Sequence, residues 1–181
     1  QQIWIGARLL VSEVALGVRA RWALPWIFFL MGVVSMAWVP RIPEIKSALG
    51  LSDGEFGLVL VSSSLGAMMG AQLAGQLIQR FGSRNLLRVT QLALPFGVLL
   101  MGLAPNVLVL ALGLFCLGFG AAGMDIPGNA QAVVIEKLIG KKFLASLHGA
   151  WSIGAFVAAV FGGLVANFLS PQLNLMLLAM L

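Results

Sequence analysis

Two ionisable side chains, Asp125 and His148, lie well inside long apolar stretches of this 181-residue chain. Such a group is costly in apolar surroundings, so an acid at this position marks a candidate functional site. A carboxyl group that its surroundings hold close to the neutral form is suited to binding and releasing a proton. Asn129 follows at i+4 on the same helix face and could share a polar ligand. The alternative is an aspartic acid hydrogen-bonded within the bundle, with no ligand.

A second candidate group, His148, Trp151 and Ser152, opens a later apolar stretch. If its helix adjoins that of Asp125, Trp151 could stack on a flat ligand and Ser152 could donate a hydrogen bond. The structural alternatives are a histidine that anchors a helix end and a tryptophan that faces lipid. The sequence contains no G-x-S-x-G, no H-E-x-x-H and no phosphate-binding glycine loop. We therefore expect no enzyme, no metal and no cofactor.

The elements that must position these residues are membrane-spanning helices. Hydrophobic residues make up 60% of the chain and charged residues 9%, which leaves too few polar groups to cover a water-soluble domain. A helix needs about 20 apolar residues to cross a bilayer. Five stretches qualify, and they cover residues 22–39, 56–78, 86–103, 107–134 and 143–168. A sixth apolar run begins at Ser170 and reaches too few residues to cross, so we predict an all-α transmembrane bundle of five full spans and the start of a sixth.

Local signals bound several of these spans. Ser52 and Asp53 are possible caps for the second span, with Glu55 in its first turn. Three residues, 104–106, allow only a tight hairpin between the third and fourth spans. Gly66 and Gly70 form a G-x-x-x-G of the kind that lets helices approach closely in lipid.

Residues 1–21 form a separate segment, because Arg8, Glu13 and Arg19 interrupt its apolar residues. We interpret this segment either as an amphipathic helix at the cytoplasmic surface or as a leader. Residues 22–181 form the transmembrane bundle.

The basic residues predict how the chain lies in the membrane. Lys and Arg accumulate in cytoplasmic loops, and here they are concentrated in alternate connections, which predicts a cytoplasmic N-terminus. The intervening connections hold only Arg41 and Lys46, which are outweighed by Glu44, Asp53 and Glu55. They also form no continuous patch for nucleic acid, although the net charge is +5. The clusters are Arg8, Arg19 and Arg21 before the first span, Arg80, Arg84 and Arg88 after the second, and Lys137, Lys141 and Lys142 after the fourth.

The connection after the second span reads GQLIQRFGSRNLL, residues 75–87. It resembles the signature loop of the major facilitator superfamily, G-x-L-a-D-R-x-G-R-K-x-x-L. That resemblance implies a conformational latch between two transporter halves, carried here by Gly75, Arg80, Gly82 and Arg84. Gln79 stands where the family usually has Asp, which weakens the latch.

Two further stretches resemble fucose permease-like bacterial inner-membrane members of that superfamily. They are GFGAAGMDIPGN, residues 118–129, and LHGAWSIG, residues 147–154. The resemblance implies the N-terminal six-helix half of a secondary transporter that takes up a small polar, sugar-like solute with protons by alternating access. The first span lacks the acid that fucose permease carries. Such a half needs either a C-terminal half or a partner subunit; the alternative is a non-transporting assembly or receptor-like subunit on the same frame.

Overall fold

The computed structural model describes residues 2–180, with side chains from residue 17 onward. Within them, all the regular structure is helical, and five segments are long and apolar enough to cross a membrane, namely Gly17–Ala48, Asp53–Phe81, Ser83–Gly102, Val107–Ile139 and Leu144–Val165. The predicted all-α class and five spans are confirmed. The α-helices are α1 (Gln2–Met36), α2 (Ile42–Ala48), α3 (Asp53–Phe81), α4 (Ser83–Thr90), α5 (Ala93–Gly102), α6 (Val107–Ile139), α7 (Leu144–Val165) and α8 (Pro171–Leu178).

Helix α1 passes through the predicted boundary at residue 21 without a break and ends at Met36, three residues before the predicted end of the span. A 3-10 turn, Val39–Arg41, then leads into α2, with a proline near the start of each. Proline is tolerated in the first turn of a helix, because an N–H group at that position would have no acceptor within the helix. The side chains of residues 1–16 lie outside the described residues, so the amphipathic or leader interpretation stays a prediction.

The predicted caps of α3 and the predicted hairpin before α6 are both present. Ser52 Oγ accepts a hydrogen bond from the Glu55 N–H at 3.3 Å, and Glu55 Oε2 accepts one from the Ser52 N–H at 2.9 Å. This reciprocal pair is a capping box, which satisfies two N–H groups at the helix start. Asn106 Oδ1 accepts from the Val109 N–H at 3.1 Å and caps α6. Short polar side chains therefore set where these helices begin.

The third span differs from the prediction of one helix over residues 86–103. It consists of α4 and α5, separated by a turn at Gln91 and Leu92. Pro95 explains the turn, because its ring removes the N–H that would bond the Gln91 carbonyl and crowds that carbonyl. The two helices still form one apolar segment that is long enough to cross.

The two most extensive helix–helix contacts are made by the α3·α6 and α1·α7 pairs, and glycines allow their close approach. In the α3·α6 pair, a Cβ on Gly66 would collide with the Phe115 backbone, and one on Gly118 with the Ser63 backbone. In the α1·α7 pair, Gly32 and Gly154 are crowded in the same way by the backbone of the facing helix. Helix α6 also packs on α5, so it stands at the centre of the bundle. Direct contact between backbones replaces the hydrophobic drive that lipid does not supply.

Candidate functional site

An open cavity of about 480 Å³, which we call the Asp125 cavity, lies between the two helix pairs. Asp125 from α6 and His148 and Trp151 from α7 line it together, as the sequence analysis requires of a shared site. Helix α1 and helix α3 supply the rest of its wall. The other lining residues are Met31, Ser35, Met36, Trp38, Ser63, Leu117, Gly118, Ala121 and Ala122.

Asp125 is half-buried and is the one acid among the described residues that line this cavity. No lysine or arginine of the described chain lines it. Gly118, Ala121 and Ala122 share the cavity-lining face of α6 with Asp125, and their small side chains leave open space beside it. The carboxyl group is therefore reachable by a ligand or a proton carrier inside an apolar bundle.

His148 is exposed and its ring stands edge-on to Phe28 of α1, with ring centroids 5.9 Å apart and planes at 80°. This edge-to-face arrangement is a favoured one for aromatic rings, and it sets the imidazole against α1. The start of α7 is fixed by Glu136, whose Oε1 accepts hydrogen bonds from the N–H groups of Phe143 at 2.6 Å and Leu144 at 2.9 Å. Glu136 thus caps α7 from the end of α6 and helps to position His148.

The structure does not bring all the predicted site residues into the cavity. Ser152 is exposed, does not line the cavity, and donates its Oγ–H to the His148 carbonyl at 2.9 Å. Asn129 is half-buried and also lies outside the lining, although its Oδ1 is buried without a hydrogen-bond partner among the described residues. The ligand roles of both residues stay predictions.

The end of α1, the turn after it and α3 contribute lining residues that the sequence did not single out. Trp38 is 8% exposed, and its Nε1–H donates to the Ser35 carbonyl at 2.9 Å, which fixes the indole at the cavity wall. Ser35 and Ser63 add two hydroxyl groups to the lining. The sequence gives little sign of their role, because a serine or tryptophan in an apolar span is common and, unlike an ionisable group, does not mark a site.

The signature-loop residues lie at the other predicted site, where α3 meets α4. Gly82 joins the two helices with a φ of +78°, a conformation that glycine adopts without strain. Gly75, Gln79, Arg80 and Arg84 are exposed there, and nothing lies within 4 Å of a Cβ added to Gly75. We call this end of the bundle, which also carries Lys137, Lys141 and Lys142, the basic end. The latch role of the five residues stays a prediction.

A further cation is deeply buried at the opposite end of the bundle. Arg41 has a fully buried side chain, and one guanidinium N–H donates from Nη2 to the Leu169 carbonyl at 2.6 Å. Its Nε lies 2.6 Å from Oε2 of Glu44, which pairs the charges without an aligned hydrogen bond. Arg41 therefore ties the turn after α1 to the turn after α7. The sequence analysis did not single it out, because loop arginines are usually solvated.

With this geometry in view, a comparison with known families assigns the class of protein. The model of the Major Facilitator Superfamily matches residues 24–181 of the chain. Because the match covers nearly the whole chain, the chain belongs to the Major Facilitator Superfamily and is a multi-pass membrane protein.

Relatives agree with this assignment. The chain is 31% identical over 146 residues to an uncharacterized transporter, y4wD, of Sinorhizobium fredii, covering 80% of this chain and 38% of the relative. It is 32% identical over 139 residues to an uncharacterized MFS-type transporter of Yersinia pestis (77% and 36%) and 25% identical over 150 residues to the niacin transporter NiaP of Acinetobacter baylyi (82% and 33%). The chain thus spans just over a third of the length of its first relatives. No solved structure matches it.

Proposed function

We propose that this chain forms the N-terminal half of a secondary active transporter that moves a small polar solute together with protons. The observation that carries the proposal is the Asp125 cavity, where one acid, one histidine and one tryptophan meet inside a membrane bundle. Transport is the role of the uncharacterized relatives by name, and of the niacin transporter. No enzymatic role is proposed.

Proton coupling is supported by the isolation of Asp125. No lysine or arginine of the described cavity lining pairs with the carboxylate, so within this half a proton is the partner that could neutralise Asp125 during transport. Protonation would then accompany the solute across, and contact with water at the far side would release the proton. His148, exposed near the start of α7, would carry the proton between water and Asp125.

A sugar-like solute suits the rest of the lining. Trp38 and Trp151 offer flat apolar faces, Ser35 and Ser63 offer hydroxyl groups, and Asp125 accepts hydrogen bonds strongly. The fucose permease-like stretches noted in the sequence favour the same class. An anionic solute is disfavoured in this half, because the described lining contains an acid and no lysine or arginine.

Alternating access requires a second six-helix half around the mid-membrane site, either in the same polypeptide or in a partner. The relatives, which are nearly three times as long as the matched region, favour the same polypeptide. We propose a bacterial inner membrane as the location, with the basic end and the N-terminus in the cytoplasm. The exposed arginines of the signature loop would then latch the two halves from the cytoplasmic side.

The test uses proteoliposomes that contain the product of the complete reading frame, loaded with buffer at pH 7.5 and diluted into pH 6.0 or pH 7.5. Uptake of labelled L-fucose, D-glucose and D-galactose is measured. We expect uptake of at least one sugar that the pH gradient accelerates, and loss of that uptake in Asp125→Asn. Asp53→Asn, which changes an exposed acid outside the cavity, is the matched control and should retain uptake. Gradient-driven uptake that persists in Asp125→Asn would remove the acid from the mechanism.

A further inference from the structure

Ser35 of α1 lines the Asp125 cavity and has a hydroxyl group with no visible use inside the fold. We infer that the Ser35 hydroxyl is the hydrogen-bonding group that α1 presents to the transported solute, where it binds an uncharged hydroxyl or carbonyl group. This inference rests on the proposed function and adds a specificity-determining residue to its site.

The first observation is that Ser35 Oγ is buried and unpartnered. Ser35 is 6% exposed, and its Oγ has no hydrogen-bond partner among the described residues. A buried hydroxyl without a partner is uncommon, because it forfeits its bonds to water. A ligand that enters the cavity would restore them.

The second observation is the contrast with other helical hydroxyl groups of the same bundle. Ser62, Ser146, Ser152 and Thr90 each donate to a carbonyl three or four residues earlier, at distances of 2.5–3.0 Å. That local bond is the usual way for a serine or threonine to be satisfied in an apolar helix. Ser35 lies in the last turn of α1 and does not make it. Its hydroxyl therefore stays available as both donor and acceptor.

The third observation is that the Ser35 backbone carbonyl accepts a hydrogen bond, whereas the side-chain hydroxyl makes none. The Ser35 carbonyl accepts the hydrogen bond of the Trp38 indole, which packs the ring beside the serine at the cavity wall. The neighbouring lining residues from α1 are Met31 and Met36, which are apolar. One hydroxyl between an indole and thioether side chains recognises a neutral polar group, since a charged group would be desolvated there without a counter-charge.

The site residues also lie at different levels along the axis of the bundle. Ser35 and Trp38 lie at the end of α1 that is remote from the basic end, whereas His148 lies five residues into α7 from the basic end. Asp125 stands on α6 between the two ends. A solute that bridges Ser35 and Asp125 must therefore carry hydrogen-bonding groups at two separate positions, as a polyhydroxylated ring does.

The experiment compares Ser35→Ala, Ser35→Thr and, as the matched control, Ser62→Ala in the proteoliposome assay described above. Ser62 donates to its own helix at Val59 and does not line the cavity. We expect Ser35→Ala to raise KM for the transported sugar roughly tenfold, the effect of losing about 1.4 kcal/mol of binding, with kcat and the acceleration by the pH gradient little changed. Ser35→Thr, which keeps a hydroxyl, should restore KM to within about threefold, and Ser62→Ala should match the wild type.

Thermal unfolding of the purified variants separates this role from a structural one. Removing an unpartnered hydroxyl should leave the Tm of Ser35→Ala unchanged or higher, whereas loss of a structural hydrogen bond would lower it. A KM within twofold of wild type, or a KM change accompanied by a lower Tm, overturns the Ser35 inference and leaves the transporter proposal standing. A wild-type protein that takes up none of the three sugars overturns both.

Discussion

The α3·α6 pair and the α1·α7 pair both pack closely at glycines, but they differ in the polar contacts that join their helices. In both pairs glycines bring backbone against backbone. Within the described residues, no side-chain hydrogen bond joins α3 itself to α6, although Ser83, two residues beyond α3, donates its Oγ–H to Gln131 Oε1 of α6 at 2.9 Å. In the α1·α7 pair, Arg41 in the turn after α1 donates to the Leu169 carbonyl in the turn after α7. Along its length the first pair is therefore held by shape, with one neutral hydrogen bond just beyond α3, whereas the second also has a buried charged tie at the end that carries Arg41.

The difference also separates the chemistry of the site. The α3·α6 pair contributes Asp125, the proposed proton-binding acid, and the Ser63 hydroxyl. The α1·α7 pair, with the turn after α1, contributes the proposed solute contacts Ser35, Trp38 and Trp151 and the proposed proton relay His148. Coupling of proton and solute would then depend on the contact between the two helix pairs, which α1 and α6 make.

The largest effect is expected from breaking the α3·α6 pair, whose helices are held along their length by shape. Gly66→Val places branched carbons against the Phe115 backbone, where they cannot be accommodated without moving α3 from α6. We expect a loss of about 3 kcal/mol of stability, seen as a much lower Tm in detergent and poor recovery of folded protein. Gly57→Val is the control on the same helix, because nothing lies within 4 Å of its Cβ. Equal behaviour of the two variants would show that the close contact at Gly66 is not needed.

A smaller effect is expected at the polar tie between the turns after α1 and α7. Glu44→Ala leaves the buried guanidinium of Arg41 without its counter-charge, and we expect a loss of about 2 kcal/mol, less than for a fully buried pair because Glu44 is 41% exposed. Restoring the Tm by adding Arg41→Met to Glu44→Ala would show that the stranded charge is the cause. A single variant as stable as the wild type would mean that the guanidinium is satisfied by other groups.

The smallest effect is expected from the cap on α7. Glu136→Ala removes the acceptor of the Phe143 and Leu144 N–H groups, and loss of a helix cap costs about 1 kcal/mol. Glu136→Gln retains a carbonyl oxygen and should lose less, and the neighbouring Lys137→Ala should lose nothing measurable. Tm values that rank the three variants otherwise would contradict a capping role. Faster amide hydrogen exchange confined to the start of α7 would report loss of the cap more directly than a change in Tm.

Much of the fold follows from the sequence, because lipid imposes simple constraints. Apolar length fixes the spans, and Ser52 and Asn106 fix helix starts through local hydrogen bonds. The break between α4 and α5 was also encoded, in Pro95, but a proline in a span can be absorbed as a kink or cause a turn, and packing decides which. The spans alone could not show that α1 pairs with α7 and α3 with α6.

Only part of the site could be predicted from the sequence, because only some residue types signal a functional role without knowledge of their neighbours. Asp125 and His148 stand out in any apolar span, since ionisable groups are rare there. Ser35 and Arg41 acquire their meaning only from burial and missing partners, which depend on the neighbouring helices. Ser152 shows the converse, because its hydroxyl is turned to its own helix and away from the cavity.

The burial of Arg41 changes how the two ends of the bundle meet the lipid headgroups. At its end, the two loop cations are engaged by the protein, Arg41 with Glu44 and Lys46 with Asp53. At the basic end, Arg80, Arg84 and Lys141 are exposed. Anionic headgroups attract each such exposed cation by about 1 kcal/mol, so among the described residues the basic end is the one that binds a charged leaflet more strongly. In membranes poor in anionic lipid, the depth of the bundle should therefore be less tightly fixed, because the attraction between headgroups and the basic end is lost.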